Sequence, residues 1–233
     1  MVYADAVTVD GSELSWASNA DYAISRYAAV FPAQLVGLDS STEDKQTAWD
    51  SVQILNDAIN WLSSGGFDMN MPAASRTVPH DQVGWLLTKY TWLINQTIGP
   101  NGYTESGPGG AGLESIGGLE GIHTLMLQSH EGVLRIFPRW PKGEQYTASF
   151  STLRANGAFL VSAAWDGIAG AVKEQVSISS EVGGECIFEN PFQNSVCVLN
   201  AVTKAKVVTR IRPPNGYVSF DALAGAQYSL APC

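Results

Sequence analysis

The period of the hydrophobic pattern changes near residue 130. Before it, apolar residues recur at the three- and four-residue spacing of amphipathic helices; beyond it, they alternate with polar residues in short runs between turns. The first pattern predicts helices over about 20–30, 40–63, 80–97 and 116–129, with a loop over 67–79. The second predicts strands over 132–138, 158–165, 172–179, 185–189, 195–200, 206–210, 217–220 and 226–230.

This order of elements predicts an α+β fold. We expect residues 1–130 to form a helical region and residues 131–233 to form a C-terminal antiparallel β-sandwich. Four helices that are apolar on more than one face need more neighbours than this chain supplies. We therefore expect the chain to be part of something larger, or to be completed by self-association or by a partner chain.

The segment from Gly107 to His130 changes from a glycine-rich loop into a helix. Five of its first six residues are Gly or Pro, and helical spacing of apolar residues begins at Ile116. One carboxylate, Glu114, lies between the loop and the helix. An acid in this position either complements the positive end of the helix dipole or carries chemistry beside the loop.

Composition excludes several classes of protein. The chain has a net charge of −9 and no basic patch, so we expect no nucleic-acid partner. The basic residues at 204, 206, 210 and 212 are interpreted as the solvent-facing side of strands. No apolar run approaches the length of a membrane span, and no signal peptide is recognised, so we expect no membrane partner.

Cysteine and histidine spacing indicates neither a metal site nor a cofactor site. There is no CxxC pair. His123 follows Glu120 by three positions, which puts both on one helix face, but no second histidine follows at the spacing of a zinc protease. Cys186 and Cys197 lie in neighbouring apolar runs, where they form a disulfide across a hairpin or remain two buried thiols; we expect no role for Cys233.

A longer motif spans the change of period. It reads Met126-Leu-Gln-Ser-His-Glu-Gly-Val-Leu-Arg-Ile-Phe-Pro-Arg-Trp-Pro and is followed by Ala-Ser-Phe at 148–150 and Leu-Arg-Ala-Asn-Gly-Ala-Phe-Leu-Val-Ser-Ala-Ala-Trp at 153–165. These three sequence segments resemble the C-terminal region of glycoside hydrolase family 95. The likeness covers residues 100–165 well and residues 20–100 loosely. Members of that family have a β-sandwich, a catalytic (α/α)6 helical barrel and a C-terminal β domain.

The resemblance implies a function and a location. Family members act on α-L-fucosides and α-L-galactosides, so the chain is expected to be the C-terminal portion of such an enzyme, with a glycan substrate and an extracellular or periplasmic location. Residues 1–130 would then form part of the barrel. The family's general acid and its two active-site asparagines match nothing here, so we expect little or no hydrolysis from this chain alone. The alternative is a non-catalytic module that binds a glycan or a partner chain.

The resemblance also implies site residues. In the family an aspartate lies four residues before a paired glycine and helps to activate a water through an asparagine. The pair here is Gly117-Gly118, the four-back position is Leu113, and the nearest carboxylate is Glu114, which makes this a divergent branch with Glu114 as the candidate catalytic residue. Four further residues are candidates for binding sugar, with capping, solvation or packing as the alternative for each: Trp16, Asn19, Asp21 and Glu105.

Overall fold

The computed structural model describes residues 6–7, 13–14, 28–59, 61, 70–100 and 114–233. Internal contacts divide the chain into two compact units, Met1–Thr124 and Leu125–Cys233. The assignment of residues 1–130 and 131–233 to separate domains stays a prediction. In the described part of the chain, no helix combines the length and the apolarity that crossing a membrane requires.

The described part of the first unit is mainly helical. In chain order its elements are the antiparallel pair β1 (Ala6–Val7) and β2 (Glu13–Leu14), then α1 (Thr42–Ile59), α2 (Met71–Thr77), α3 (Val83–Thr97) and α4 (Glu114–Met126), whose last two residues lie in the second unit. The expected helices that begin near 40, 80 and 116 are confirmed. Ser41 explains the first of these starts, because its Oγ accepts a hydrogen bond from the backbone N–H of Asp44 (3.0 Å).

Helix α2 lies where a loop was expected. The loop prediction relied on the prolines at 72 and 79, but Pro72 falls in the first turn of α2, where a missing N–H leaves no helical hydrogen bond unmade. All seven residues of α2 are buried, so the sequence shows no polar face from which a helical period could be recognised.

The second unit is built from antiparallel strands. They are β3 (Leu127–Gln128), β4 (Arg135–Ile136), β5 (Ala148–Ala155), β6 (Phe159–Asp166), β7 (Ala171–Val172), β8 (Val176–Ser180), β9 (Gly184–Phe188), β10 (Val196–Asn200), β11 (Arg210–Arg212), β12 (Tyr217–Ala222) and β13 (Gln227–Pro232). One sheet has the order β10-β13-β8-β6-β5, with β7 beside β6; a second has the order β11-β12-β9; β3 pairs with β4.

Aromatic rings fill the interior of this unit. The rings of Phe220 on β12 and Tyr228 on β13 are 4.8 Å apart and join the three-stranded sheet to the six-stranded one. A second group surrounds Phe137, whose ring centre is 5.3 Å from that of Phe150 and 5.8 Å from that of Trp165. The α+β class with a β-rich C-terminal region is therefore confirmed, whereas the partial barrel and the sandwich stay predictions.

The disulfide differs from the one considered above. Cys197 on β10 is bonded to Cys233, and Cys186 is a free, buried thiol whose pKa burial raises to about 12. A Cys186–Cys197 bond was the wrong pairing, because Cys186 lies on β9 in the three-stranded sheet and Cys197 on an edge of the other sheet. Cys233, which was expected to have no role, follows β13 and ties that strand to β10.

The basic residues of β11 do lie at the solvent-facing side of their sheet. Arg210 and Arg212 are exposed, and they pair with Asp221 and Glu185 on the neighbouring strands. Hydrogen bonds from Arg212 and Arg210 lower the pKa of Glu185, and those from Arg210 lower the pKa of Asp221.

Candidate functional site

The predicted site residues fall mostly outside the described part of the chain. Trp16, Asn19, Asp21 and Glu105 all lie outside the described residues. Glu114 is the first residue of α4, so the helix that was expected after the glycine-rich segment begins at this residue. The geometry of the first unit is therefore built from α4 and its described neighbours.

A half-buried carboxylate on α4 is held by three polar side chains. Arg76 of α2 reaches Glu120 with an Nη2–Oε1 distance of 3.4 Å, and the hydroxyl of Thr124 donates to the same oxygen at 3.1 Å. His123 lies on the same face, with Nδ1 3.9 Å from Glu120 Oε2, which confirms the expected placement of these two residues. The buried Arg76 also donates from Nη1 to the carbonyl of Val30 (3.0 Å), so the guanidinium fixes the carboxylate in one position.

A buried hydroxyl network joins the helices beside this carboxylate. The hydroxyl of Ser75 on α2 donates to the carbonyl of Gly121 on α4 (2.7 Å) and lies 2.8 Å from the hydroxyl of Tyr90 on α3. Tyr90 in turn donates to the carbonyl of Met71. Burial raises the pKa of Tyr90, so it remains a neutral donor at all physiological pH values. The network fixes α2, α3 and α4 against one another.

Helices α2 and α4 approach each other closely at a glycine. A Cβ built on Gly121 would lie 2.9 Å from Cβ of Met71 and 3.1 Å from its carbonyl carbon. We expect Gly121→Ala to lower the free energy of unfolding by about 1–3 kcal/mol, since backbone must move and this outweighs the gain in helix propensity. Thermal unfolding measures the change, and Leu119→Ala at an exposed position of α4 is the control. A stabilised Gly121→Ala variant would contradict the close approach.

The second unit contains a buried arginine with partners from three segments. Arg135 on β4 is 1% exposed. Its Nη1 is 2.6 Å from Oε2 of Glu131, its Nε is 3.3 Å from Oε2 of Glu189, and its Nη2 donates to the hydroxyl of Tyr217 (3.0 Å). The two carboxylates and the phenol satisfy the guanidinium, which would otherwise be costly to bury.

A cleft of about 140 Å³ opens beside this arginine. Its wall comes from β4 and the residues after it, from β6 and β7, and from the segment after β9. The lining includes Arg135, Phe137, Trp165, Glu189, Asn190 and Pro191. In the described part of the chain, no group of three or more His, Cys, Asp or Glu residues has the arrangement of a metal site.

Comparison with known families assigns the second unit. Residues 128–230 match the family described as glycoside hydrolase family 95, C-terminal domain. This region is therefore similar to the C-terminal domain of that family. The match begins two residues after α4 ends and covers every strand from β4 to β12, with most of β13. No curated protein matches the chain significantly.

Several residues of these clusters were missed by sequence reasoning. Arg135 belongs to the motif of this chain that resembles family 95. An arginine in an alternating strand is nevertheless normally interpreted as solvent-facing. Its partners Glu189, which follows β9, and Tyr217 on β12 are distant in sequence, so no local spacing indicates them. Glu120 carried a usable signal in its spacing from His123, whereas Ser75 and Arg76 were hidden in the segment predicted to be a loop.

Proposed function

We propose that the chain forms the C-terminal portion of a hydrolase that cleaves O-glycosidic bonds, of the α-L-fucosidase or α-L-galactosidase type. The match of residues 128–230 to the family 95 C-terminal domain is the observation that carries this proposal. The substrate is a glycan, as the family description implies. The helical residues ahead of the match contribute one side of the substrate site, at the start of α4.

Glu114 is proposed as the active-site carboxylate. Helical spacing assigns position 114 to the same face of α4 as Gly117, Gly118 and Gly121, and these three glycines are buried. Gly121 on that face meets α2 closely. Position 114 thus begins a helix face that packs on another helix, and it follows the glycine-rich segment in sequence, which supports a role at a substrate cavity.

The chemistry requires carboxyl groups with opposed tasks. One must protonate the leaving oxygen, while another activates water or attacks the anomeric carbon. Glu114 takes the second task, by polarising a water through an intervening amide. The family's general acid matches no residue of this sequence. Asn19, Asp21 and Glu105 are proposed to bind sugar hydroxyls, and Trp16 to pack on a sugar ring.

Substitution of Glu114 tests the proposal. We expect Glu114→Gln to reduce any hydrolysis of 4-nitrophenyl α-L-fucoside or α-L-galactoside by roughly 100-fold, because the amide keeps the shape but loses the charge. Since the chain alone is expected to turn over slowly, binding of a cationic iminosugar analogue of L-fucose is measured in parallel by calorimetry. The same substitution should weaken that binding at least about tenfold, as an ion pair is lost.

Two results would decide against this assignment. An unchanged rate or affinity in Glu114→Gln, with circular dichroism intact, would remove Glu114 from the mechanism. A wild-type chain that neither hydrolyses these glycosides nor binds the iminosugar would remove the substrate site from this chain. Glu43→Gln, in the exposed first turn of α1, is the matched control and should leave both readouts unchanged.

The second candidate function is a non-catalytic module that binds a glycan or a partner chain. Three exposed apolar side chains among the described residues of the helical unit favour a partner: Leu35 is 76% exposed, Leu119 70% and Trp85 40%. Light scattering distinguishes this function from the first, because a partner-binding face on a self-associating chain gives a mass that rises with concentration.

A further inference from the structure

The cleft beside Arg135 has the size and construction of a small-ligand site. Its volume of about 140 Å³ is below that of drug-sized ligand pockets, roughly 300–1,000 Å³, so the cleft can hold no more than one small ligand. It is lined entirely by residues of the second unit, between positions 135 and 191, and most of its accessible wall is polar. We propose that this cleft binds a single neutral sugar residue, at a site separate from that of Glu114.

The balance of charge at the cleft selects a neutral ligand. In the lining Arg135 faces Glu189, one positive group against one negative one, and Glu131 pairs with the same guanidinium from outside the lining. A phosphate or carboxylate ligand would meet the exposed carboxylate of Glu189, and a cation would meet the guanidinium of Arg135 behind it. An anionic or a cationic ligand would therefore find its opposite charge already paired. A neutral ligand with hydroxyl groups needs only hydrogen-bond donors and acceptors.

Glu189 supplies the directional contact. Its side chain is 55% exposed, so its oxygens remain accessible, yet Arg135 Nε holds one of them at 3.3 Å. A fixed carboxylate accepts hydrogen bonds from neighbouring hydroxyl groups, and such charge-assisted bonds are about twice as strong as neutral ones. A ligand with adjacent hydroxyls therefore satisfies Glu189 better than an apolar ligand of the same size.

The remaining walls are fixed before any ligand arrives. The indole N–H of Trp165 donates to the carbonyl of Pro141 (3.1 Å), and its ring packs on Phe137. On the opposite rim, the amide of Asn190 donates to the carbonyl of Asn194 (2.8 Å) and accepts from the backbone N–H of Phe192 (3.0 Å). A preorganised wall loses little entropy on binding, which allows affinity from a small contact area.

The choice of a sugar rests on the carbohydrate function proposed above, whereas the location of the cleft does not. The cleft belongs to the region that matches the family 95 C-terminal domain, and no part of its lining comes from α4. Binding there can therefore be measured in a chain whose Glu114 has been replaced.

Nuclear magnetic resonance of the full chain tests the site. L-fucose, L-galactose, D-glucose and inorganic phosphate are titrated separately while the indole N–H of Trp165 and the side-chain amide of Asn190 are followed. At least one sugar should shift both signals saturably, with a dissociation constant in the millimolar range. Glu189→Gln should weaken that binding at least about fivefold, since a charged acceptor is lost. Glu181→Gln, which alters an exposed carboxylate paired with Arg154, should leave it unchanged.

Two further variants keep the result unambiguous. Glu189→Asp retains the charge beside Arg135 and withdraws it by one methylene, so it should also weaken binding if Glu189→Gln fails to fold. Glu114→Gln should leave the cleft titration unchanged even where hydrolysis is lost, which separates failure of this site from failure of the catalytic proposal. Absence of a saturable shift with every sugar, equal binding by Glu189→Gln, or preferential binding of phosphate would each overturn the proposal.

Discussion

Replacing Arg135 by methionine is expected to lower the free energy of unfolding of the β-rich unit by about 3–5 kcal/mol. The substitution leaves Glu131, whose side chain is only 15% exposed, without the guanidinium that lies 2.6 Å away. It also removes the hydrogen bond to Tyr217 and the contact with Glu189. Because a largely buried carboxylate loses its nearest cation, the loss should exceed that from the missing contacts themselves. Calorimetric unfolding of the variant and the wild type measures this change in the free energy of unfolding.

The companion variants separate charge burial from packing. Arg135→Met combined with Glu131→Leu should recover at least half of the lost stability, since the carboxylate is then removed together with its nearest cation. Arg154→Met, which breaks an exposed pair with Glu181 in the same unit, should change stability little or not at all. Equal losses for Arg135→Met and Arg154→Met would show that Arg135 is not the buried anchor described above.

Loss of the Cys197–Cys233 bond is the second large effect expected. The two cysteines are 36 positions apart, and chain-entropy arguments assign a bond across such a loop about 4 kcal/mol of stabilisation. The bond also holds β10, the edge strand of its sheet, to β13. We expect Cys197→Ser/Cys233→Ser to unfold at a markedly lower temperature than the wild type, and a reducing agent to lower the wild type to the level of the double variant.

Thiol counting provides the control for the disulfide. Cys186 is buried, and burial raises its pKa to about 12, so it should not react with a thiol reagent at neutral pH while the unit is folded. Denaturation without reductant should expose one thiol, and denaturation after reduction should expose three. Cys186→Ala should respond to reductant as the wild type does. Three thiols in the non-reduced chain would contradict the bond.

Patterns that act over a few residues were predictable from the sequence. The helix at 83–97 and the helix that begins near Glu114 follow from spacing and from the glycine-rich segment before the second of them. Strand β5 was missed in part because its register shifts between Phe150 and Leu153, where Thr152 has a left-handed φ of 56°. A bulge of this kind resets the two-residue alternation on which strand prediction relies.

Pairings between distant segments were not predictable. Cys197 bonds to Cys233 because β10 lies beside β13, and that order is a property of the sheet and not of the spacing between cysteines. Arg135 is buried with Glu189 and Tyr217 as partners, and both lie more than fifty residues away in the sequence. At the candidate site, spacing alone put Glu120 and His123 on one face, but it could not reveal Arg76, which comes from another helix.

The short strand β11 ends one side of the three-stranded sheet, so its outer backbone groups have no further strand of that sheet to pair with. Open edges of this kind recruit strands from other molecules. Two copies approaching edge to edge would bring Arg210 and Arg212 of one molecule against the same guanidinium groups of the other. Charged side chains on an edge strand oppose sheet extension between copies, and here Asp221 and Glu185 keep the two arginines in place.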